Sequence, residues 1–219
     1  MTVEDATRGA LWIGGGQWAG KSTVARLLAA RYGLTAYHYD YHDARGHNDR
    51  RIALRARRGE PIDGPDPEQV WVHTTPERMA AATLAGFPER FAWALDDLRA
   101  LTSGRPVLAE GWGLRPELVA PLLDSPRRMI VMVPTPEFRE HQARTLPRAG
   151  RLGQQLSDPV RAQRNRLARD ELVAQDAVDS AHRTGIRVLA VDGSRDASAV
   201  AEVVADHFSP YLAEAPQWS

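Results

Sequence analysis

Residues 15–22 read Gly-Gly-Gln-Trp-Ala-Gly-Lys-Ser, a match to the pattern G-x-x-x-x-G-K-[ST]. The stretch follows the apolar run Ala10–Ile13, a predicted strand, and opens Lys21–Tyr32, a predicted helix that stops at Gly33. Glycines let the backbone curl so that successive N–H groups point at one anion, and the following helix adds its positive N-terminal end. The stretch therefore predicts a phosphate-binding loop in an α/β fold.

The basic residues support this interpretation. Of the 28 basic residues 27 are Arg, and the one lysine is Lys21, inside the motif. A bias toward Arg explains why Lys is rare, but it does not explain where the remaining one stands. We expect Lys21 to bridge the β- and γ-phosphates of a nucleotide and the Ser22 hydroxyl to ligate Mg²⁺. The nucleotide-binding residues predicted here are Gly15, Gly16, Gln17, Trp18, Ala19, Gly20, Lys21, Ser22 and Thr23.

Composition excludes several classes of function. The 219 residues suit a single domain, numbered 1–219, and the formal net charge of zero gives no general attraction to nucleic acid or an anionic membrane. The absence of cysteine excludes disulfides, thiolate catalysis and Cys-ligated zinc. Residues 1–8 contain Glu4 and Asp5 and no apolar core, so we expect no signal peptide and a cytoplasmic location. We expect neither nucleic-acid nor membrane partners.

The rest of the chain alternates strand and helix signals. A capping side chain followed by proline opens helices at Thr75, Thr135 and Asp158, and residues 86–88 interrupt the first of them. Alternating strands and helices predict a parallel sheet covered on both faces. The five predicted strands are Ala10–Ile13, Thr35–Tyr39, Pro106–Ala109, Met129–Val133 and Arg187–Val191.

The loop and the layout resemble the P-loop small-molecule and nucleoside monophosphate kinases, which include shikimate, gluconate and adenylate kinases. The loop itself is similar to those of chloramphenicol phosphotransferase and the zeta-toxin kinases. The resemblance implies a three-layer α/β fold with a five-stranded parallel sheet in the order 2-3-1-4-5 and a helical lid. It also implies ATP, Mg²⁺ and a small-molecule phosphoryl acceptor. We expect an acceptor-binding helical segment at about 41–105 and a lid at about 145–159, in a monomer or homodimer.

Candidate acids follow two of the strands. The resemblance implies that a carboxylate after strand two receives the acceptor's proton. Asp40 is our choice, and Asp43, a second substrate-binding candidate, is the alternative. Either Asp could instead cap the next helix. His38, His42 and Asp43 could alternatively form a metal site.

The second acid is Glu110, at the end of a strand beside the loop, where parallel sheets bind their ligands. We assign Glu110 to substrate or to the Mg²⁺ site, with a solvated loop acid as the alternative. Gly111 and Trp112 complete the predicted acceptor site. The indole of Trp112 could stack on a planar substrate or pack inside the protein.

Arginines supply the remaining candidates. In the resembled kinases a mobile lid brings arginines onto the transferring phosphoryl group, and Arg166 and Arg169 share a helix face here. Gly193 and Ser194 correspond to the loop that lies against adenine, although a plain turn is the alternative. Seven arginines belong to the lid region: Arg144, Arg148, Arg151, Arg161, Arg164, Arg166 and Arg169.

These residues together predict an ATP-dependent phosphotransferase that moves the γ-phosphate to a hydroxyl or phosphate of a small molecule. A nucleotide-binding switch or accessory ATPase without such an acceptor is the alternative. The Arg-rich stretch from Arg50 to Arg58 would suit an anionic acceptor, or it is a solvated helix face. A neutral acceptor stays open.

Overall fold

The computed structural model describes residue 7 and residues 9–146 and 153–212. Five parallel strands form one sheet in the order β2-β3-β1-β4-β5, as predicted. The strands are β1 Leu11–Gly15, β2 Thr35–His38, β3 Val107–Glu110, β4 Met129–Pro134 and β5 Arg187–Val191. This all-parallel order places β1 in the centre of the sheet, with residues 15–22 at its carboxyl end.

Helices connect every pair of successive strands, because parallel strands need crossover connections. Helix α2 passes through a π-helical turn, Asp43–His47, into α3, and a second π-helical turn is Gln69–His73. The helices are α1 Lys21–Tyr32, α2 Tyr39–His42, α3 Asn48–Arg57, α4 Pro76–Ala85, α5 Phe87–Ala100, α6 Pro116–Val119, α7 Pro136–Thr145, α8 Pro159–Thr184 and α9 Ala197–Phe208.

Alternate residues of β1 divide between two cores. Leu11 and Ile13 pack with α1 and α9, whereas Trp12 packs on the opposite face with α5 and α8. Side chains of a strand point alternately to the two faces of the sheet, so helices cover both faces. The result is the predicted three-layer α/β architecture. Within the described ranges, no helix is both long and apolar enough to span a membrane.

The predicted helix starts are confirmed by their capping bonds. The side chains of Thr75, Thr135 and Asp158 accept from the backbone N–H groups three residues on, each with proline at the next position. Strand boundaries differ from the prediction by one or two residues in β1, β3 and β4. In β2 the difference is one of conformation, because the strand ends at His38 and Tyr39 begins α2. Tyr39 has high strand propensity, but its buried ring packs under Gly111 and Gly113, so tertiary packing decides its conformation.

Parts of the predicted lid and tail lie outside the described residues. These parts include Arg148 and Arg151 and the predicted frayed tail 213–219. The structure describes both ends of the predicted lid, Thr145 at the end of α7 and residues 153–158 before α8.

Candidate functional site

The phosphate loop begins where β1 leaves the sheet. Gly15 has φ 114°, and a Cβ there would lie 2.1 Å from the Met132 carbonyl oxygen, so only glycine fits. Gly20 enters α1 with φ 78°. The N–H of Gly16 donates to Met132 O at 2.9 Å. Gly15 and Gly16 therefore anchor the loop to β4 and fix the direction in which it leaves.

The loop contains backbone donors without acceptors in the described part of the chain. The hydrogen bonds of the described residues give no acceptor to the backbone N–H groups of Gln17, Ala19, Gly20, Lys21 and Ser22. The N–H of Thr23 donates to Gly20 O at 3.0 Å. Unpaired N–H groups at a helix start form a site for an anion, because the helix dipole adds to their partial charges.

The Lys21 ammonium lies inside this loop. Its Nζ donates to Gly16 O at 2.6 Å, and the residue is 5% exposed. An ammonium has three donors, so the bond to Gly16 leaves two for a phosphate. Ser22, one position on, is exposed at the first turn of α1.

The sequence allows Trp18 either to be an exposed contact for a lid or to pack back onto the protein. The structure shows the packed position. The residue is 6% exposed and its indole Nε1 donates to Asp170 Oδ2 at 3.0 Å. The Arg166 guanidinium lies over the ring at 5.1 Å. Trp18 has φ 70° and is the one non-glycine residue of the described ranges with a positive φ. The loop tip therefore holds an unfavourable backbone conformation and is fixed by contacts to α8.

A cavity of about 670 Å³ opens beside the loop. Its walls come from the loop, from α1, from α7 and from the connection between β5 and α9. Phe138 and Gln142 face it from α7, and Val191 and Gly193 from the β5 end. A Cβ on Gly193, which has φ 83°, would lie 2.7 Å from the Phe138 ring, so glycine permits this close approach.

Ser194 lies next to this wall and lines a smaller neighbouring cavity. Its N–H and Oγ both donate to Asp192 Oδ1, at 2.9 and 2.6 Å. These bonds lower the pKa of Asp192. Gly193 and Ser194 were both predicted to contact the adenine ring. Gly193 lies in the wall of the larger cavity, whereas Ser194 stabilises the turn through Asp192.

Asp40 lies in the first turn of α2, directly after β2. The Trp112 N–H donates to its Oδ1 at 3.2 Å. Burial raises the pKa of Asp40 from 3.8 to about 6; the Lys21 ammonium opposes this rise, and the Glu110 carboxylate adds to it. A carboxyl group that titrates near neutral pH can both accept and release a proton under ordinary conditions.

Glu110 ends β3 in register with Ile13 of β1 and His38 of β2. It is 1% exposed, and its Oε1 lies 2.8 Å from Nδ1 of His38. This hydrogen bond raises the pKa of His38, because it stabilises the protonated ring. The second oxygen, Glu110 Oε2, is buried without a hydrogen-bond partner. A buried carboxylate oxygen without a partner is costly unless a ligand or cation satisfies it.

Asp43, the alternative base, is engaged elsewhere. Its Oδ2 accepts from Arg90 Nη1 at 3.0 Å, and Arg90 also donates to the Gly86 and Thr83 carbonyls. This arginine fastens the turn between α4 and α5 to the start of the acceptor segment. Asp43 Oδ1 has no partner. One oxygen of Asp43 is therefore engaged by Arg90 rather than left for an acceptor.

A metal site at His38, His42 and Asp43 does not form. His38 pairs with Glu110 and Asp43 with Arg90, while His42 lies 3.6 Å from Asp97 and stacks on Tyr37. No group of three potential metal ligands occurs among the described residues. The alternative that Asp40 and Asp43 act as helix caps is also not seen, since α2 begins without a side-chain cap.

A second cavity, of about 560 Å³, shares no wall residue with the first. Trp112 is partly buried and packs edge-on against Phe87 at 5.3 Å while also facing the cavity. Both predicted roles of Trp112 are therefore structurally open to it. Residues of the cavity wall with polar or aromatic side chains are Arg51, Trp71, Thr74, Arg78, Thr83, Glu89, Arg90, Trp112 and Arg169.

The two predicted helix arginines contact different parts of the site. Arg166 covers Trp18 of the phosphate loop, and Arg169 lies between Trp71 and Trp112, 5.2 Å from each ring. Arg164, by contrast, is exposed and faces a separate surface pocket beside α7. Arg144 is exposed near Glu140 at 3.6 Å.

Three residues of the site were not predicted from the sequence. Asp170 binds Trp18, Trp71 faces the second cavity, and Phe138 lines the first. The pairing of His38 with Glu110 could have been predicted, because strand order 2-3 places the ends of β2 and β3 side by side. The other contacts depend on how α7 and α8 pack, and no local pattern predicts that.

No protein-family model matches the chain, and the curated proteins contain no significant match. Among solved structures, the chain is similar to a shikimate kinase from Acinetobacter baumannii in complex with shikimate, at 18% identity and TM-score 0.47, covering 96% of this chain and 99% of that one. It is also similar to a gluconokinase from Sinorhizobium meliloti at 15% identity and TM-score 0.43, covering 94% of each chain. A shikimate kinase from Aquifex aeolicus has 14% identity and TM-score 0.38, over 91% of this chain and 95% of that one. The chemistry of the site has to come from this chain's own residues.

Proposed function

We propose that the protein is an ATP-dependent phosphotransferase that moves the γ-phosphate of ATP to a hydroxyl or phosphate group of a small molecule. The observation that carries this proposal is the placement of Asp40. A carboxyl group with a pKa of about 6 stands within the electrostatic reach of both Lys21 and Glu110, at the edge of the sheet where the phosphate loop begins.

The donor fits the first cavity. The unpaired amides of the loop and the Lys21 ammonium suit the phosphates, and the apolar wall formed by Phe138, Val191 and Val200 suits a flat base. ATP, the default donor of such sites, has the right size and charge distribution.

Two oxygens suit a magnesium ion. Ser22 presents an exposed hydroxyl at the start of α1, and Glu110 Oε2 is a buried carboxylate oxygen without a partner. Hard cations such as Mg²⁺ prefer such oxygens. Bound there, Mg²⁺ would neutralise charge on the phosphates.

Transfer itself requires an oriented nucleophile and charge stabilisation. Asp40, which the Trp112 N–H holds in place, would accept the proton of the acceptor hydroxyl. Lys21 would stabilise negative charge on the transferring group. Arg166 and Arg169 stand on the face of α8 that borders the loop and the second cavity, so both could reach phosphate oxygens.

The second cavity would hold the acceptor. Arg51 and Arg78 face it without an acidic partner among the described residues, and Glu89 is the one acid in its wall. The cavity therefore favours an acceptor with a negatively charged group. By contrast, Arg50 and Arg55 of the Arg-rich stretch pair with Asp96 and Glu60 on the surface. Most of that stretch is a solvated helix face.

The test is an ADP-release screen with Mg²⁺ and ATP against nucleosides, monophosphates, sugar acids, sugar phosphates and aminocyclitols. We expect one class to stimulate ADP release and to gain a phosphoryl group, detected by mass spectrometry. Asp40→Asn should lose this stimulated turnover, while the matched variant Asp206→Asn, at an exposed position of α9, keeps it.

Two results would contradict the proposal. Slow ADP release that no small molecule stimulates would favour the switch or accessory ATPase. Full stimulated turnover in Asp40→Asn would remove Asp40 from the role of base.

A further inference from the structure

Helix α8 contains one carboxylate that is withdrawn from solvent and that the phosphoryl-transfer chemistry does not use. Asp170 is 3% exposed. Its Oδ2 accepts from the Trp18 indole at 3.0 Å, and its Oδ1 lies 2.7 Å from Arg169 Nη2. A buried carboxylate persists only where hydrogen bonds and an opposite charge compensate its lost hydration, and the Trp18 indole and the Arg169 guanidinium supply these two contacts.

The first contact reaches the phosphate loop. Trp18 occupies the loop tip with a left-handed backbone that a bulky residue rarely adopts. Its indole N–H is the polar group that α8 binds, and Ala174 of the same helix lies against Gly16, where an added Cβ would come within 2.9 Å. The position of α8 and the conformation of the loop tip therefore depend on each other.

The second contact reaches the acceptor cavity. Arg169 is held between the rings of Trp71 and Trp112, and Trp112 in turn donates its N–H to Asp40. Asn165, one helical turn before Arg169, donates to the Trp71 carbonyl at 2.9 Å. An unbroken chain of contacts thus runs from the loop tip through Asp170 and Arg169 to the cavity wall and the base.

We propose that Asp170 is a positioning residue that couples the phosphate loop to the acceptor cavity, so that binding of the nucleotide triphosphate orders the cavity wall formed by Trp71, Arg169 and Trp112. The proposal rests on the proposed function for the identity of its first ligand. The physical reason is that one carboxylate fixes both Trp18 and Arg169. Any ligand that immobilises the loop tip also restrains Asp170, and through it the guanidinium between the two rings. Coupling between two sites is reciprocal, so an acceptor would tighten nucleotide binding by the same factor.

The experiment needs no acceptor. Hydrogen exchange is measured with and without Mg²⁺ and the non-hydrolysable analogue AMP-PNP, whose binding is measured separately by calorimetry. In the wild type we expect bound AMP-PNP to slow exchange at Gln69–His73 by about fivefold or more, the lower end of usual coupling between sites. This segment touches α8 and lies outside the wall of the nucleotide cavity.

Two variants break the chain at different points. Trp18→Phe keeps an aromatic ring but removes the fused five-membered ring with its N–H, and Asp170→Asn keeps the shape of the side chain and loses its charge. At AMP-PNP concentrations that saturate each variant, as calorimetry determines, both should show a several-fold smaller slowing at Gln69–His73. Trp93→Phe, the same change at a buried tryptophan of α5 outside the chain of contacts, should behave as the wild type.

The possible failures are distinguishable. No binding heat for AMP-PNP with the wild type overturns the proposed function and this coupling together. Binding with unchanged exchange at Gln69–His73 overturns the coupling alone. Unaltered slowing in Trp18→Phe and in Asp170→Asn also overturns it, because the bond from Trp18 to Asp170 would then transmit nothing.

Discussion

Asp40→Asn should stabilise the protein while it abolishes turnover. In the folded state the pKa of Asp40 rises from 3.8 to about 6, mainly because burial penalises its charged form. Such a rise corresponds to about 3 kcal/mol of destabilisation when the group is ionised. The folded state binds more protons than the unfolded state between these two pKa values. The contribution of Asp40 to the stability of the folded state therefore becomes less favourable as pH rises through this window. The full destabilisation is present above pH 6.

Asparagine carries no charge, and its Oδ1 can still accept from the Trp112 N–H. We expect Asp40→Asn to unfold between about 6 and 12 °C above the wild type at pH 7, taking about 2–4 °C per kcal/mol for a chain of this size. The difference should shrink as pH falls to 4, where Asp40 is protonated in the folded wild type. Calorimetry or urea unfolding at both pH values measures it.

The same pKa predicts the pH profile of turnover. A base with a pKa of about 6 loses about tenfold of its ionised fraction between pH 7 and pH 5, so kcat/KM should fall by that factor. A carboxyl group at its ordinary pKa would lose less than about a tenth of its ionised fraction over the same range.

The surface variant Asp206→Asn is the control for the stability measurement, and it should change the free energy of unfolding by less than about 0.5 kcal/mol. An Asp40→Asn protein that melts at or below the wild-type temperature at pH 7 would refute this reasoning.

Three further predictions concern other parts of the site. Gly193→Ala should weaken AMP-PNP binding more than Gly185→Ala does, since both glycines have positive φ but only at 193 would the methyl group strike the Phe138 ring; equal affinities by calorimetry would contradict this. Arg169→Ala should lower kcat/KM about 10²-fold or more if the guanidinium stabilises the transferring phosphoryl group, whereas Arg164→Ala, which faces a separate pocket, should change it little; similar losses in both variants would argue against a specific role. Glu110→Gln should raise the Mg²⁺ concentration needed for half-maximal turnover, because it removes charge from the one unpartnered oxygen at the strand end; an unchanged Mg²⁺ dependence would exclude Glu110 from the metal site.

The local part of the fold was predictable from the sequence. Helix starts at Thr75, Thr135 and Asp158 follow from a capping oxygen and a proline within two residues, and the structure confirms all three. The loop from Gly15 to Ser22 was also predictable from local sequence, because its glycines are required by the backbone conformation at their own positions. The sheet order came from the resemblance and is confirmed.

The contacts between distant segments were not predictable. Trp18 could have faced a lid or the protein interior, and its burial depends on Asp170, which lies 152 residues further along the chain. Asp43 was the alternative to Asp40 as the base, and nothing in the sequence indicated that Arg90, on another helix, pairs with it. The Arg-rich stretch Arg50–Arg58 suggested a binding surface, but two of its arginines pair on the surface and only Arg51 reaches the cavity. Such pairings depend on tertiary packing, which periodicity and propensity do not encode.

The central claim is that the loop from Gly15 to Ser22 grips the phosphates of a nucleotide triphosphate through its amides and Lys21. Calorimetric titration of the wild type and of Lys21→Ala with AMP-PNP and Mg²⁺ tests it most directly. The account predicts one binding site in the wild type and an affinity lower by about tenfold or more in the variant, as expected for loss of a charge-assisted hydrogen bond. Absence of binding heat in the wild type, or equal affinity in the variant, would contradict it.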